Sequence, residues 1–203
     1  MERLREQGIR DLAVLRAFGE TPRHLFVPEA MRERAYDDTA LPIGRAQTIS
    51  RPFTHASYLQ ALSLRGTERA LEVGTGSGYQ AALLSKLVAQ VFSVERFAQL
   101  ADRAREGLAQ AGARNVTVFV GDGSLGWRPY APYDAILVSA AAPGVPQPLL
   151  DQLADGGRLL VPLGGGDAQE LIRITRRGST LNEERLSAAS FVPLVGRHGA
   201  NDG

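Results

Sequence analysis

The sequence predicts an α/β fold: a doubly wound, mostly parallel sheet with helices before it and an antiparallel hairpin after it. Three observations lead to this prediction. Short apolar strands alternate with helices from residue 69 onward, which is typical of a parallel sheet covered by helices. A glycine-rich turn joins the first of these strands to a helix. The chain has 203 residues, of which 44% are hydrophobic and 22% charged, so it can build the core of one globular domain.

The segment before the sheet, residues 1–68, is predicted to contain helices and one long loop. Five apolar residues give a helical stripe that ends at Gly19: Leu4, Ile9, Leu12, Leu15 and Phe18. Thr21 followed by Pro22 predicts the N-cap and first residue of a second helix. Residues 37–53 are rich in glycine, proline and threonine and predict an irregular loop, which at this length is often functional.

The segment that forms the sheet, residues 69–203, alternates strands and helices. The predicted strands are residues 70–73, 91–94, 116–120, 133–138 and 158–163, and the predicted helices are residues 79–88, 97–111 and 146–153. A turn at residues 176–178 then predicts a hairpin whose later strand is residues 186–194. Residues 199–203 are expected to form a frayed tail. We expect the two segments to form a single domain, residues 1–203.

Composition excludes several classes of protein. The formal net charge of +1 gives no strong field for nucleic acid or for an anionic membrane. The chain has no cysteine, which excludes disulfides and thiolate nucleophiles and fits a reducing compartment. The charged N-terminus is unlike a secretory signal, and no apolar run approaches the ~20 residues of a membrane span. We therefore expect a cytoplasmic protein, with no nucleic-acid or membrane partner and, since its three histidines lack metal-ligand spacing, no metal.

The glycine turn predicts the cofactor. Gly74, Gly76 and Gly78 follow a strand and open a helix, and Thr75 and Ser77 lie between them. Glycine permits a tight turn and a close approach of the backbone to a ligand, and the helix N-terminus offers free N–H groups to an anion. The spacing is G-x-G-x-G rather than the G-x-G-x-x-G of dinucleotide sites. With an acidic residue two positions ahead of it, this form is typical of class I S-adenosylmethionine-dependent methyltransferases, which have a Rossmann-like fold; the bound anion would be the methionyl carboxylate.

Three acidic residues are candidate contacts for the same cofactor. Glu72, on the strand before the turn, can accept from the methionyl ammonium or from an ordered water. Glu95 ends the second strand and suits the ribose hydroxyls, although a solvated carboxylate is the alternative. Asp122, followed by Gly123, can accept from the adenine amine, with a plain Gly-Asp-Gly turn as the alternative. Ligands of parallel sheets bind beyond the carboxyl ends of the strands, where all three lie.

The chain resembles the protein-L-isoaspartate (D-aspartate) O-methyltransferases. The stretches that carry the resemblance are Ala40-Leu41-Pro42-Ile43-Gly44, Gln47-Thr48-Ile49-Ser50, Pro52, residues 71–79, Ser93-Val94-Glu95-Arg96, Gly121-Asp122-Gly123 with Gly126-Trp127, and Phe191-Val192-Pro193-Leu194. They span nearly the whole chain, and the Gln-Thr-Ile-Ser-x-Pro stretch is the specific one. Two positions depart from the family: Ala46 stands where glycine is common, and Ser139 where threonine is usual. The residues after Leu194 match poorly.

The resemblance implies roles for several further residues. Ser50 is the active-site serine, and His55 lies beside the cofactor in some members, although taken alone it reads as a structural histidine. An isoaspartyl peptide would lie in extended form along residues 43–53 and 191–194. Its implied binding residues are Gln47, Thr48, Ile49, Pro52, Val192 and Pro193.

The reaction implied by the resemblance is protein repair. A methyl group moves from S-adenosylmethionine to the free α-carboxylate of an L-isoaspartyl, and also a D-aspartyl, residue, leaving S-adenosylhomocysteine. The methyl ester then closes to a succinimide, whose hydrolysis returns some normal aspartate. A carboxylate with a pKa near ~3.5 is already ionised at neutral pH, so no general base is needed. We expect a monomer whose partners are damaged peptides and proteins.

Three other functions fit parts of the sequence. A methyltransferase acting on tRNA or a small molecule would share the glycine turn, but RNA binding favours basic and aromatic surfaces, and aromatic residues are only 6% of this chain. A non-catalytic module could keep the fold, although the set Glu72, Glu95, Asp122 and Ser50 is intact. A nicotinamide oxidoreductase is disfavoured by the glycine spacing.

Overall fold

The computed structural model describes residues 1–166 and 168–200. Two helices replace the single stripe predicted at the N-terminus: α1 (Glu2–Glu6) and α2 (Leu12–Glu20). Gly8 interrupts them with a φ of +100°, a conformation that continues no helix. Asp11 then caps α2, because its Oδ1 accepts from Ala13 N at 2.8 Å. The predicted end at Gly19 was one residue short.

Two short 3₁₀ helices follow, at Arg23–Phe26 and Glu29–Arg34. The predicted cap at Thr21 was wrong, because Thr21 ends α2 and the extended Pro22 precedes the first 3₁₀ turn without a side-chain cap.

Residues 37–53 were predicted to be an irregular loop, and this was wrong. The chain forms an antiparallel hairpin, β1 (Leu41–Gly44) and β2 (Gln47–Ile49), and then begins α3 (Pro52–Leu62). The turn residues Arg45 and Ala46 both have a left-handed φ, 54° and 53°. Positive φ at two consecutive turn residues favours glycine, which explains why the resembling family commonly has glycine where Ala46 stands.

The seven-stranded sheet confirms the predicted fold class. Its strands are β3 (Arg69–Val73), β4 (Gln90–Glu95), β5 (Val116–Val120), β6 (Tyr133–Val138), β7 (Leu153–Gly165), β8 (Ala168–Arg177) and β9 (Thr180–Ala189), in the order β5-β4-β3-β6-β7-β8-β9. The five strands from β3 to β7 are parallel, and β8 and β9 are antiparallel. The helices between the strands are α4 (Tyr79–Ser85), α5 (Ala98–Gln110) and α6 (Gln147–Asp151). The strand order reverses between β3 and β6, which is where an open α/β sheet binds its ligand.

The C-terminal segment differs from its prediction. The hairpin turns at Gly178 as expected, but its later strand is Thr180–Ala189 and not residues 186–194. Residues 191–194 instead cross to the carboxyl end of β6, where Ala141 N donates to Val192 O at 2.8 Å and Leu194 N donates to Ala141 O at 2.7 Å. Ala200 N donates to Leu194 O at 2.7 Å, so residues 199 and 200 are tied down rather than frayed. Residues 201–203 lie outside the described residues.

Apolar side chains cover both faces of the sheet. Successive strand residues alternate between two clusters: Ala70 and Leu137 pack on one side with α2, α3 and α4, while Leu71 and Ile136 pack on the other with α6. In the described part of the chain, no helix has the length and apolar character to cross a bilayer. The two apolar layers hold the carboxyl ends of β3, β4 and β6 at one edge, where the polar residues collect.

Candidate active site

A cavity, which we call the main cavity, opens at the carboxyl ends of β3, β4 and β6. It is bounded by the loops after these strands, the β1–β2 hairpin and the C-terminal segment. Most of the residues singled out from the sequence line it: Gln47, Thr48, Ile49, Ser50, His55, Gly74, Thr75, Gly76, Ser77, Glu95, Gly123, Val192 and Pro193. Four do not: Pro52, Glu72, Gly78 and Asp122.

The glycine turn forms one wall of the main cavity. Gly74, Gly76 and Gly78 have φ values of +91°, +54° and +87°, which side chains rarely adopt. Gly78 lies behind the wall, where a Cβ atom would come within 3.0 Å of Ala104 Cβ. Its small size therefore lets α4 pack closely on α5, while Gly74 and Gly76 bring bare backbone to the cavity.

Glu95 holds the turn in place. Its Oε2 accepts from Gly76 N at 2.8 Å and its Oε1 accepts from Phe97 N at 3.0 Å. The side chain is 5% exposed and lines the main cavity. Each oxygen keeps a second lone pair, so a carboxylate fixed by two backbone donors can still accept from a ligand.

Glu72 lies behind the turn rather than in the wall. It is fully buried, its Oε2 accepts from Ser93 Oγ at 2.5 Å, and Ser93 Oγ lies 2.5 Å from Thr75 Oγ1 in the cavity wall. Burial raises the pKa of Glu72 to about 8, because the charged form loses its hydration. Its Oε1 has no partner among the described residues, so one buried carboxyl oxygen is left without a hydrogen bond.

Asp122 is also outside the wall. Its Oδ1 accepts from Ser124 N at 2.9 Å, and its Oδ2 accepts from Arg197 N at 2.8 Å. Burial alone would raise the pKa of Asp122, but the bonds from Arg197 and Ser124 outweigh it and hold that pKa below its ordinary value. Gly123 does line the cavity, and a Cβ atom there would lie 2.5 Å from Val73 Cγ1. The tail after Leu194, for which the sequence predicted no role, is therefore bonded directly to Asp122 through Arg197.

A second cavity, the outer cleft, lies beside the main one. Its walls come from the β1–β2 hairpin, the start of α3 and residues 187–192. Four residues line both cavities: Thr48, Ser50, Ser139 and Val192. The hydroxyl of Ser50 makes no hydrogen bond within residues 1–166 and 168–200, while its carbonyl accepts from Arg23 Nη2 at 2.8 Å. Ser50 thus presents a free donor at the boundary between two cavities.

The residues implied to bind a peptide are divided between the cavities. Thr48 and Val192 line both, whereas Gln47, Ile49 and Pro193 line only the main cavity. Pro52 lines neither of them; it is the first residue of α3 and borders a separate cavity beneath the N-terminal helices. Pro52 starts α3 directly after Ser50 and Arg51, the short connection from β2 that we call the Ser50 loop.

His55 is a buried, neutral side chain in the main cavity wall. Its Nδ1 pairs with Gln80 Oε1, and its Nε2 has no partner among the described residues. Burial, together with the charge of Arg23, lowers the pKa of His55 to about 3. No group of three or more histidine, aspartate or glutamate residues in the described ranges is placed to hold a metal ion.

The lowered pKa of His55 predicts a loss of stability in acid. Unfolded histidine titrates near ~6.5, so the unfolded chain gains a proton that the folded chain refuses, and this stabilisation fades as pH falls from about 6.5 toward 3. We expect the wild type to lose about 1.5 kcal/mol more than His55→Gln between pH 6.5 and pH 5, measured by urea unfolding. The contribution of Glu72 to stability changes with pH in the opposite direction, because its pKa is raised. Since Glu72 is present in both proteins, this contribution cancels in the comparison. Equal losses would show that His55 titrates normally.

Several cavity residues were not predicted. Ser139 follows β6 and lines both cavities, and the rule that ligands meet the carboxyl ends of strands could have found it. Gln80 lines the main cavity from the second residue of α4, one turn beyond the glycines. Arg23 lines neither cavity but bonds the Ser50 carbonyl, and it was not predicted because a single arginine between two helices is usually a surface residue.

The whole chain is similar to one family of enzymes. The model of the protein-L-isoaspartate(D-aspartate) O-methyltransferase family matches residues 1–199. Several relatives carry the name protein-L-isoaspartate O-methyltransferase, and two of them show the extent of the similarity. The one from Methanoculleus marisnigri is 51% identical over 97% of this chain and 89% of its own length, and the one from a Roseiflexus species is 54% identical over 95% and 88%.

Solved structures agree with this relationship. A putative protein-L-isoaspartate O-methyltransferase from Plasmodium falciparum, in complex with S-adenosyl-L-homocysteine, superposes with a TM-score of 0.84 at 28% identity, over 96% of this chain and 95% of that one. Another protein-L-isoaspartate O-methyltransferase gives a TM-score of 0.88 at 29% identity over 97% of this chain, which spans 65% of that longer chain. The resemblance drawn from the Ser50 loop and the glycine turn is confirmed, and the chain belongs to the protein-L-isoaspartate(D-aspartate) O-methyltransferase family.

Proposed function

We propose that this chain transfers a methyl group from S-adenosylmethionine to the free α-carboxylate of L-isoaspartyl residues, and of D-aspartyl residues, in damaged proteins. The observation that carries the proposal is the shared wall of Thr48, Ser50, Ser139 and Val192 between the main cavity and the outer cleft. A cofactor in one cavity and a peptide in the other would meet at this wall. Bringing two reactants together in a fixed orientation can supply a large part of a rate enhancement.

The residues of the main cavity fit S-adenosylmethionine, which supplies an electrophilic methyl group. The bare backbone of Gly74 and Gly76 accommodates its amino-acid end at the start of α4. Glu95 is placed to accept from the ribose hydroxyls. The Glu72–Ser93–Thr75 chain supports the wall, and the unpartnered Oε1 of Glu72, which lies behind that wall, would suit the methionyl ammonium or a water bound to it once the carboxyl is ionised. Asp122 already accepts hydrogen bonds from Ser124 N and Arg197 N. To bind the adenine amine, it would have to use its remaining lone pairs while keeping these bonds.

The acceptor needs a positioned donor and no base. An α-carboxylate is ionised at neutral pH, so a catalyst has only to orient it and exclude water. The free hydroxyl of Ser50 is our candidate donor, and the backbone N–H groups of residues 48–51 are further candidates beside it. His55 is neutral and its Nδ1 is held by Gln80, which fits a supporting rather than a proton-transfer role.

The outer cleft suits an extended peptide of varied sequence. Its wall near Ser50 carries hydroxyl groups on both sides, from Thr48, Thr54 and Ser57 on one and Ser187 and Ser190 on the other. Hydroxyls can donate or accept, so they tolerate many side chains and bind main chain.

The proposal includes a single-domain monomer acting in the cytoplasm. Light scattering of the purified protein tests the monomer.

Glu95→Gln tests the ribose contact. The amide keeps one oxygen for Gly76 N but loses the charge that strengthens both the turn and a ribose bond. We expect affinity for S-adenosylhomocysteine to fall about tenfold or more by calorimetry, since hydrogen bonds to charged groups contribute ~1.5–3 kcal/mol. Circular dichroism and thermal unfolding serve as the fold control. An unchanged dissociation constant in a folded variant would contradict the assignment.

One assay separates the proposed function from its rivals. Labelled methyl transfer from S-adenosylmethionine is measured on an isoaspartyl peptide and on a twin that contains normal aspartate. We expect label only on the isoaspartyl peptide, lost again in mild base as the ester closes to a succinimide. Transfer to tRNA instead, or cofactor binding without transfer to any acceptor, would reject the proposal.

A further inference from the structure

Among the described residues, Arg23 has the most deeply buried positively charged side chain. It is 1% exposed and has no carboxylate partner within salt-bridge distance in the described ranges. Burying a charge without a carboxylate partner is costly, and hydrogen bonds from two guanidinium nitrogens, Nε and Nη2, offset part of this cost, while Nη1 has no partner among the described residues. Desolvation lowers the pKa of Arg23 to about 10, which still leaves it charged at neutral pH.

Its guanidinium joins three parts of the chain. Nε donates to Ala35 O at 2.7 Å, and Nη2 donates to Ser50 O at 2.8 Å. The guanidinium carbon lies 5.0 Å from the centroid of the Tyr79 ring, which is cation–π distance. Tyr79 is the first residue of α4, directly after the glycine turn. The N-terminal segment, the Ser50 loop and the helix of the cofactor turn therefore meet on one planar group.

We infer that Arg23 is a positioning residue, which fixes the Ser50 carbonyl and so aims the Ser50 hydroxyl at the wall between the main cavity and the outer cleft. The inference rests on the proposed role of Ser50. The planar fork suits this task, because its donors point in fixed directions at two carbonyls while its face lies on a ring. A lysine has a single ammonium and cannot hold both carbonyls with the same geometry. Without Arg23, the Ser50 carbonyl loses a charged donor at 2.8 Å, and the backbone of the loop is held less tightly, with only the neutral His55 ring still beside it.

A double-mutant cycle tests whether Arg23 acts through Ser50. Arg23→Met and Arg23→Lys are made in the wild type and in Ser50→Ala, and kcat and KM are measured on an isoaspartyl peptide. We expect Arg23→Met to lower kcat about tenfold in the wild type and less than twofold in Ser50→Ala, since only linked residues are non-additive. Arg23→Lys should fold but recover only part of kcat. The KM for S-adenosylmethionine should stay within about twofold throughout.

Arg176→Met is the matched control. Arg176 Nη2 also donates to a backbone carbonyl, Leu150 O at 2.6 Å, but it lines neither the main cavity nor the outer cleft. We expect it to lower stability and leave kcat within about twofold.

Each outcome of the cycle decides the inference. Equal losses from Arg23→Met in both backgrounds, or a wild-type kcat in Arg23→Lys and Arg23→Met, would overturn it, as would a Ser50→Ala enzyme with normal kcat. If Arg23→Met fails to fold, the Arg23→Lys cycle decides alone. A wild type with no transfer to the isoaspartyl peptide would instead reject the proposed function.

Discussion

Gly76→Val is expected to weaken S-adenosylhomocysteine binding by at least about 100-fold, measured by calorimetry. Gly76 has a φ of +54°, which a β-branched residue adopts only at a cost of ~1–3 kcal/mol. The turn must move to relieve this strain, and the movement takes Gly76 N away from Glu95 Oε2. Since the wall of the main cavity is backbone at this point, its displacement changes the binding surface itself.

Gly112→Val is the control, because it introduces the same backbone strain at a glycine that does not line the main cavity. Gly112 has a φ of +68° just after α5, and a Cβ atom there would meet nothing within 4 Å. The control should lose similar stability and keep its affinity. If both variants bind equally well, the glycine turn does not form the cofactor site.

Ser50→Ala is expected to lower kcat on an isoaspartyl peptide by about 10- to 150-fold. The range follows from the ~1.5–3 kcal/mol of a hydrogen bond to a charged group, at about 1.4 kcal/mol per factor of ten. Affinity for S-adenosylhomocysteine should change less than about twofold, because the hydroxyl is assigned to the acceptor carboxylate and not to the cofactor. Steady-state kinetics and calorimetry measure the two effects separately.

Ser85→Ala controls for the loss of a partly buried serine hydroxyl. Ser85 Oγ donates to Ala82 O at 2.7 Å within α4 and lines neither cavity. Its kcat should match that of the wild type. Normal turnover in Ser50→Ala would leave Ser50 with only a structural role.

The fold was predictable where the apolar pattern is long and periodic. Four of the five parallel strands, β3 to β6, were found within one residue of their observed bounds because each is a run of buried apolar residues between turn signals. The fifth, β7, begins at Leu153, five residues before its predicted start, because Asp155-Gly156-Gly157 was taken for a turn and is part of the strand. The β1–β2 hairpin was missed because its strands have only three and four residues and its turn holds Arg45 and Ala46 instead of glycine. The end of β9 was misplaced because residues 191–194 are apolar for a different reason: they cover the carboxyl end of β6.

The site was predictable where one residue type is required by geometry. Glycines in a turn and carboxylates at strand ends can be recognised one position at a time, and the Ser50 loop was recognised through its family. Features that depend on three-dimensional packing could not be predicted from the sequence. These are the position of Glu72 behind the cavity wall, the bond from Arg197 to Asp122, and the burial of Arg23. These arise from residues distant in sequence, such as the 75 positions between Asp122 and Arg197.

The outermost strand has a consequence for an enzyme whose substrates are damaged chains. β9 pairs with β8 on one side only, and it carries the exposed charges of Glu183, Glu184 and Arg185. Arg185 and Glu184 form ion pairs with β8, to Glu170 at 2.7 Å and Arg173 at 2.6 Å. Charged side chains on an open edge disfavour the addition of a foreign strand. A partly unfolded substrate therefore finds little to aggregate with at this edge of the sheet.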